Sequence, residues 1–147
     1  MIKLFCKAWE KNNNRLRNYI SSHEQTTYYD YTSLVKILFD ECINPYIEEI
    51  MTCKYRTFDT NRITVIDNGD YQGTLLFVIP EDTYQPCVSE YIFTSVYYGS
   101  CSYCDTLEGI QDINGNGLPE EGQVNDYMTL LLNILEQCHW FIEREDD

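Results

Sequence analysis

The chain has 147 residues, a length that suits one domain with its own core, and a formal net charge of −14. A body this acidic repels phosphate backbones, which argues against direct binding of nucleic acid by the main domain. No apolar run approaches the length of a membrane span, and the first residues lack the apolar core and cleavage site of a secretory signal. We therefore expect a cytoplasmic protein that does not enter a membrane.

The charge is unevenly spread along the chain. Residues 1–17 hold five basic side chains and one acidic one, which gives +4, whereas the remaining 130 residues carry five basic and 23 acidic ones, which gives −18. A basic protein surface, such as the groove in which another protein holds DNA or RNA, would attract the acidic body. The same excess of acid would also serve solubility alone, and charge by itself does not separate the two uses.

The first fifty residues predict two helices. Residues 2–22 place apolar side chains at helical spacing, with a row of basic residues at every fourth position, Lys3, Lys7, Lys11 and Arg15. We expect this row to lie against the acidic body rather than to meet an anionic partner. A second helix is predicted to begin at a cap formed by Thr32 or Ser33 and to be kinked or ended by Pro45, beyond which its apolar face continues.

The middle third changes to the period of β-strands. The segments "RITVID" and "GTLLFVIP" flank Asn68-Gly69, a dipeptide typical of tight hairpin turns. A third strand, "SEYIFTSVYYG", is rich in β-branched and aromatic residues. The segment "MTCKYRTFD" before the hairpin is a candidate for an additional edge strand. These patterns predict an antiparallel meander of three or four strands.

The last third predicts two helices, a short one from Ser102 to about Gln111 and a longer one from about Glu120 to Ile142. The longer helix is apolar over nearly half its circumference, so we expect it to be central. Trp140 projects from its opposite, acidic side and would serve there as an exposed interface anchor, unless the N-terminal helix covers it.

The predicted fold is therefore α+β, with a three- or four-stranded antiparallel sheet on which two N-terminal and two C-terminal helices pack. Neither an internal repeat nor a long flexible linker divides the chain. We expect a single domain over residues 1–147, made of a helical part (1–50), the meander (51–98) and a second helical part (99–147).

The corner "YGSCSYCDTLEGI" between the third strand and the next helix carries Cys101 and Cys104. A C-x-x-C pair suits a zinc site, with Cys138 and His139 as further ligands, although adjacent residues on a helix point about 100° apart. Two alternatives are a redox-active thiol in the first turn of the helix and two small thiols that fill a tight corner. We favour the last, because most zinc sites of this kind contain a second C-x-x-C pair.

The loop "DINGNGLPEEGQ" opens like a calcium-binding loop, with Asp112 and Asn114 followed by Gly117 at the position of the sharp turn. Its twelfth position holds Gln123 instead of the bidentate glutamate. We therefore favour a polar connection between helices over a weak calcium contact through Asp112 and Glu120.

No set of residues in the sequence forms a recognisable catalytic site. His23 and His139 stand in unrelated contexts without a nucleophile motif beside either one, and neither a phosphate-binding glycine loop nor a paired-histidine metal helix is present. We expect a protein that is not an enzyme and that uses no cofactor.

The unit "YGSCSYCDTLEGI", followed by the helix "NDYMTLLLNIL", resembles a family of small uncharacterised proteins encoded by bacteriophages, over about the last third of the chain. The resemblance implies a phage origin, hence the cytosol of a host cell. Small acidic phage proteins without catalytic motifs are often inhibitors of host machinery or host defence. Several anti-CRISPR and anti-restriction proteins resemble nucleic acid in charge and occupy the basic groove of their target.

The leading hypothesis is a non-enzymatic inhibitor that binds a basic, nucleic-acid-handling host protein, such as a CRISPR effector, through an acidic face. The residues expected on that face are Asp67, Asp70, Glu136, Trp140, Glu143, Glu145, Asp146 and Asp147. One alternative is a protein that sequesters a small ligand, a nucleotide signal or a metal, through Lys3, Lys7 and Lys11 or through the thiols of Cys101, Cys104 and Cys138. Another is a homo-oligomer that associates through its tyrosine-rich surface.

Overall fold

The computed structural model describes residues 2–52, 54–100, 105–111 and 117–144. They form an α+β fold in which a four-stranded antiparallel sheet, in the order β1-β2-β3-β4, is accompanied by helices from both terminal regions of the chain. This confirms the predicted fold class. Within these ranges, none of the helices is both long and apolar enough to span a bilayer.

Helix α1 spans Ile2–Ser22, as predicted. Its apolar stripe is buried in the core, because Phe5, Ala8, Leu16 and Ile20 follow one another at helical spacing. Two members of its basic row meet carboxylates of the following helical segment, with Lys11 Nζ 3.4 Å from Glu49 and Arg15 Nε 2.9 Å from Glu41. The expected contact between the row and the body is confirmed for these two residues.

A second helical path runs from α2 (Tyr31–Leu38) through a π-helical turn (Phe39–Ile43) into α3 (Asn44–Ile50). Its N-cap is Asp30, whose carboxylate accepts the Ser33 N–H at 2.8 Å, so the predicted cap at Thr32 or Ser33 is wrong by two or three residues. The π turn precedes Pro45 and widens the helix where proline has no N–H to donate, so the helical path continues beyond this residue.

The sheet consists of β1 (Thr64–Asp67), β2 (Gly73–Pro80), β3 (Tyr91–Tyr98) and β4 (His139–Trp140). The predicted hairpin at Asn68-Gly69 is confirmed, and Asn68 accepts the Thr74 N–H at 2.8 Å. The fourth strand comes from the C-terminal end of the chain. The segment predicted as an edge strand contributes one isolated bridge, between Phe58 and Glu81, and its Cys53 lies outside the described residues.

Helices α4 (Thr106–Gln111) and α5 (Glu121–Glu136) lie between β3 and β4 in the chain. Helix α5 ends six residues before the predicted Ile142, because the chain turns at Gln137 and pairs with β3 as β4. Thr94 of β3 donates to the Ile134 carbonyl at 2.8 Å and so joins one face of the sheet to α5. On that inner face Phe77, Ile79 and Ile92 are fully buried.

Candidate functional site

The net negative charge belongs to one part of the protein, the sheet with α4 and α5. Residues 1–62 contain nine basic and eight acidic side chains, a net charge of +1. Residues 63–143 contain thirteen acidic side chains and no lysine or arginine. With Arg144 and the last three residues, positions 63–147 carry a net charge of −15, and we call them the acidic half.

At least five of the ten lysine and arginine side chains pair with carboxylates of the same chain. Five ion pairs connect them, Lys11–Glu49, Arg15–Glu41, Lys36–Asp40, Arg62–Asp59 and Arg144–Glu81. Four of the five use acids that precede residue 63, so they compensate the N-terminal helices and leave most of the acidic half uncompensated. Among these pairs, Arg144–Glu81 alone neutralises a carboxylate of the acidic half.

A pocket of about 360 Å³ opens where the start of α2, the end of β3 and α4 meet. Its described lining includes four carboxylates, three tyrosines and no basic residue. The acids are Asp30, Asp67, Asp105 and Glu108, and the tyrosines are Tyr29, Tyr31 and Tyr98. We call it the corner pocket. Such a lining attracts cations, because carboxylates accept charge-assisted hydrogen bonds from ammonium and guanidinium groups.

Asp105 is buried at the base of this pocket and is held by three hydrogen bonds. Its carboxylate accepts the Tyr31 hydroxyl at 2.7 Å, the Gly99 N–H at 2.9 Å and the Glu108 N–H at 3.1 Å. The last bond caps the first turn of α4, and Ser102, the predicted start of this helix, lies outside the described residues. Burial and the bond to Asp105 raise the pKa of Tyr31 above its usual value.

Asp67 and Tyr98 form a second contact at the rim of the pocket. The Tyr98 hydroxyl donates to Asp67 Oδ1 at 2.6 Å, and the Gly69 N–H donates to the same oxygen at 2.9 Å. The bond from Tyr98 is the main cause that lowers the pKa of Asp67. The same bond raises the pKa of Tyr98 to about 12, because ionising the phenol would place two negative charges together.

The described lining of the corner pocket holds no histidine, cysteine, serine or lysine. Its polar side chains are carboxylates, phenols, one threonine and one glutamine.

No protein-family model, curated protein or solved structure matches this chain.

The acids predicted to form one partner-binding face occupy two separate places. Asp67 and Asp70 lie at the β1–β2 turn, next to the Tyr98 end of β3. Glu143 follows β4, which pairs with the Tyr91 end of β3 and forms the edge of the sheet opposite β1. Glu136 is exposed at the end of α5. The predicted residues Glu145, Asp146 and Asp147 lie outside the described part of the chain.

The predicted exposure of Trp140 is wrong. It belongs to β4, is only 2% exposed, and pairs with Ile92 on the inner face of the sheet. Tyr55 stacks on it at 6.4 Å between ring centroids, and the Arg144 guanidinium lies 3.6 Å from its ring centroid. Phe58 is a third neighbour, with its ring centroid 5.8 Å from that of Trp140, so aromatic side chains and Arg144 lie against this residue.

Of the three cysteines considered as metal ligands, the structure describes one, Cys138. Cys138 is buried, its sulfur lies 3.5 Å from the Ile134 carbonyl oxygen, and burial raises its pKa to about 12. With 3% of its surface exposed, Cys138 packs as part of the core. The predicted Cys101 and Cys104 lie outside the described residues, and among the residues that the structure describes no three metal-binding side chains cluster.

The first five positions of the candidate calcium loop, residues 112–116, lie outside the described residues, which resume at Gly117. Gln123, its twelfth position, is buried and donates to the Ile110 carbonyl at 2.8 Å and to Gln25 Oε1 at 3.2 Å. Glu120 and Gln123 also form the capping box of α5. Both side chains therefore have structural roles at the start of this helix.

Sequence reasoning did not find the corner pocket as a unit. The charge pattern marked Asp67 as part of an acidic face and did not connect it with Asp105. Tyr31 lies 74 positions from Asp105, and no local pattern in the sequence pairs them. The signal that was available is the density of tyrosine in "TTYYDY", where it flanks Asp30, and in "SVYYG".

Proposed function

We propose that this protein is a phage-encoded, non-enzymatic inhibitor that binds a basic, nucleic-acid-handling host protein through its acidic half. CRISPR effectors are members of that target class. The observation that carries the proposal is the run of residues 63–143, which forms the sheet, α4 and α5 and contains no lysine or arginine. A protein surface built from this run presents one sign of charge, as nucleic acid does.

Charge of one sign favours a partner of the opposite sign in two ways. It accelerates the encounter with a basic groove, and it penalises neutral or acidic partners. Exposed carboxylates that support such an encounter include Asp70 in the β1–β2 turn, Asp126 and Glu136 on α5, and Glu143 after β4. The corner pocket adds a concave place where a lysine or arginine side chain of the partner would meet several carboxylates at once.

Affinity capture from a bacterial host lysate tests this proposal. The tagged protein is expected to retain a basic DNA- or RNA-binding protein at low salt, to lose it as salt rises, and to lose it on addition of the nucleic acid that this partner binds. A captured partner that is acidic, or that binds equally well at high salt and in the presence of nucleic acid, would contradict the proposal.

A second candidate function is favoured by the corner pocket itself, whose volume of about 360 Å³ suits a small molecule. Its four carboxylates favour a cationic ligand such as a polyamine and disfavour a nucleotide. Lys3 and Lys7, which the alternative hypothesis assigns to an anionic ligand, are exposed on α1, and Lys11 pairs with Glu49. A rise in melting temperature with spermidine, and none with nucleotides, would support this second function.

A further inference from the structure

The sheet presents a second face, opposite the one that packs on α5. Side chains alternate along a strand, so the residues that neighbour buried Phe77, Ile79 and Ile92 point the other way. The register places these outward residues next to one another across the strands: Ile66 beside Leu76, Val78 beside Phe93, and Phe93 beside His139. We call this surface the outer face.

The outer face is apolar at its centre. Phe93 and Phe141 have ring centroids 5.1 Å apart, and Tyr91 and Phe141 are 6.2 Å apart. A shallow depression of about 350 Å³ beside them is lined by Val78, Val88, Tyr91 and Phe141. Exposure is high for Val88 (62%), Ile66 (51%) and Phe141 (46%). An antiparallel sheet with one solvated face normally carries polar side chains there, and this sheet departs from that pattern.

Carboxylates border the outer face at both ends of the strands. Asp70 lies in the β1–β2 turn, Glu90 directly precedes β3, and Glu143 follows Phe141 by two residues. The arginine of this region, Arg144, is engaged by the Glu81 carboxylate and the Ser89 carbonyl and lies over Trp140. Arg56 is a further cation, within electrostatic reach of Glu81 and Glu90.

We propose that the outer face is a docking surface for a protein partner that presents apolar side chains flanked by lysine or arginine. The inference deepens the proposed function, on which it rests, by naming the surface and the chemistry of the partner. Phe93 and Phe141 with Val78 and Val88 form the buried centre of the contact, and the bordering carboxylates form its polar rim, the arrangement usual in protein interfaces.

The negative charge of the acidic half determines which kind of partner suits the outer face. A second copy of the chain would bring two acidic halves together, each with a net charge of −15, and like charges across an interface are repulsive. An anionic membrane surface is disfavoured for the same reason. A basic partner with apolar side chains buries the apolar centre of the outer face and pairs with the carboxylates at its rim.

Calorimetric titration of the full chain with three peptides of equal length tests the inference: alternating leucine and lysine, lysine alone, and alternating leucine and glutamate. The leucine–lysine peptide is expected to bind, and to bind about tenfold more weakly to the double variant Val88→Ser, Phe141→Ser. The matched control is Ile50→Ser, Met51→Ser, which removes two exposed apolar side chains near the end of α3 and is expected to leave the affinity unchanged. Circular dichroism verifies that both variants are folded.

The outcomes separate this inference from the proposed function. If the two lysine peptides bind with equal affinity, and the Val88→Ser, Phe141→Ser variant binds them as tightly as the wild type, the outer face is not the docking surface. Binding through the charge of the acidic half would then still be supported. If neither lysine peptide binds, the result contradicts both the docking role of the outer face and the proposed attraction of basic partners to the acidic half. Binding of the leucine–glutamate peptide, or self-association in sedimentation velocity that the same variant abolishes, would show that the outer face binds apolar surfaces or a second copy irrespective of positive charge.

Discussion

The Tyr31 hydroxyl donates a 2.7 Å hydrogen bond to the buried Asp105 carboxylate and, at 3.2 Å, accepts the N–H of Leu107. Tyr31 is the first residue of α2, and Asp105 precedes α4, so one side chain joins the N-terminal helices to the corner that follows β3. The position of the corner pocket therefore depends on this pair.

We expect Tyr31→Phe to lower the free energy of unfolding by about 1–3 kcal/mol, because Asp105 loses a hydrogen bond in a buried site and the Leu107 N–H loses its acceptor. Urea denaturation measures the change. Tyr84→Phe is the matched control, since Tyr84 is 91% exposed, and it is expected to have no effect. Equal stability of the two variants would show that the pair does not hold the corner.

Arg144 compensates a buried carboxylate. Glu81 is 3% exposed and pairs with Arg144, and burial nevertheless raises the Glu81 pKa above its usual value. Arg144→Met leaves this carboxylate buried without its cation, and we expect a loss of about 3 kcal/mol at neutral pH. Glu81→Gln should cost less, because Arg144 retains access to water and to the Ser89 carbonyl.

The pH dependence of these variants has a defined sign. A carboxyl group whose pKa is raised in the folded state binds more protons folded than unfolded, so its contribution favours folding at low pH and is lost as pH rises through the folded pKa. Arg144→Met strengthens this effect. The difference in the free energy of unfolding between Arg144→Met and the wild type should therefore decrease as the pH falls from 7 to 5. A difference that increases would contradict the role of Arg144 as the partner of Glu81.

Because Tyr98 donates a hydrogen bond to Asp67, we expect a substitution of either residue to change the pKa of the other. Tyr98→Phe removes the main cause that lowers the Asp67 pKa, which should move up towards its usual value. Asp67→Asn should bring the Tyr98 pKa down from about 12. Carbon-detected NMR titration of the two labelled side chains measures both shifts. Unchanged values in either variant would show that the hydrogen bond is absent in solution.

Met51 ends α3 in the left-handed conformation, with φ 47° and ψ 42°. Residues with a Cβ atom pay about 1–2 kcal/mol for this backbone conformation, and glycine does not. We expect Met51→Gly to raise the free energy of unfolding by about 1 kcal/mol, measured by thermal denaturation. Met51→Val, which is β-branched, should be less stable than the wild type, and the reverse order would contradict the assigned conformation.

The sequence was sufficient to predict those elements whose signals are local. Helix α1 follows from its apolar spacing, and the β1–β2 hairpin follows from the Asn68-Gly69 turn between two β-branched runs. The N-cap at Asp30 was missed by two or three residues because Asp, Thr and Ser in one short stretch all have the chemistry of a cap.

The elements that sequence reasoning misplaced depend on distant partners. The periodic pattern of α5 continues through Cys138, so Trp140 was predicted to be helical and exposed. The pairing of β4 with Ile92 and Phe93 instead makes the chain leave the helix after Glu136. The corner pocket was not foreseen because its residues come from α2, β1, β3 and α4, and only the fold brings them together.

The most direct test of the central claim compares two variants with the same change in net charge. Asp70→Asn, Glu136→Gln, Glu143→Gln neutralises three exposed acids of the acidic half, and Glu10→Gln, Glu24→Gln, Glu48→Gln neutralises three exposed acids of the N-terminal part. Capture from host lysate at low salt, with quantitative mass spectrometry, measures what each variant retains. We predict that a basic nucleic-acid-binding protein is retained by the wild type and by the N-terminal variant and is depleted with the variant of the acidic half. Equal retention by both variants, or no basic protein with the wild type, would contradict the claim.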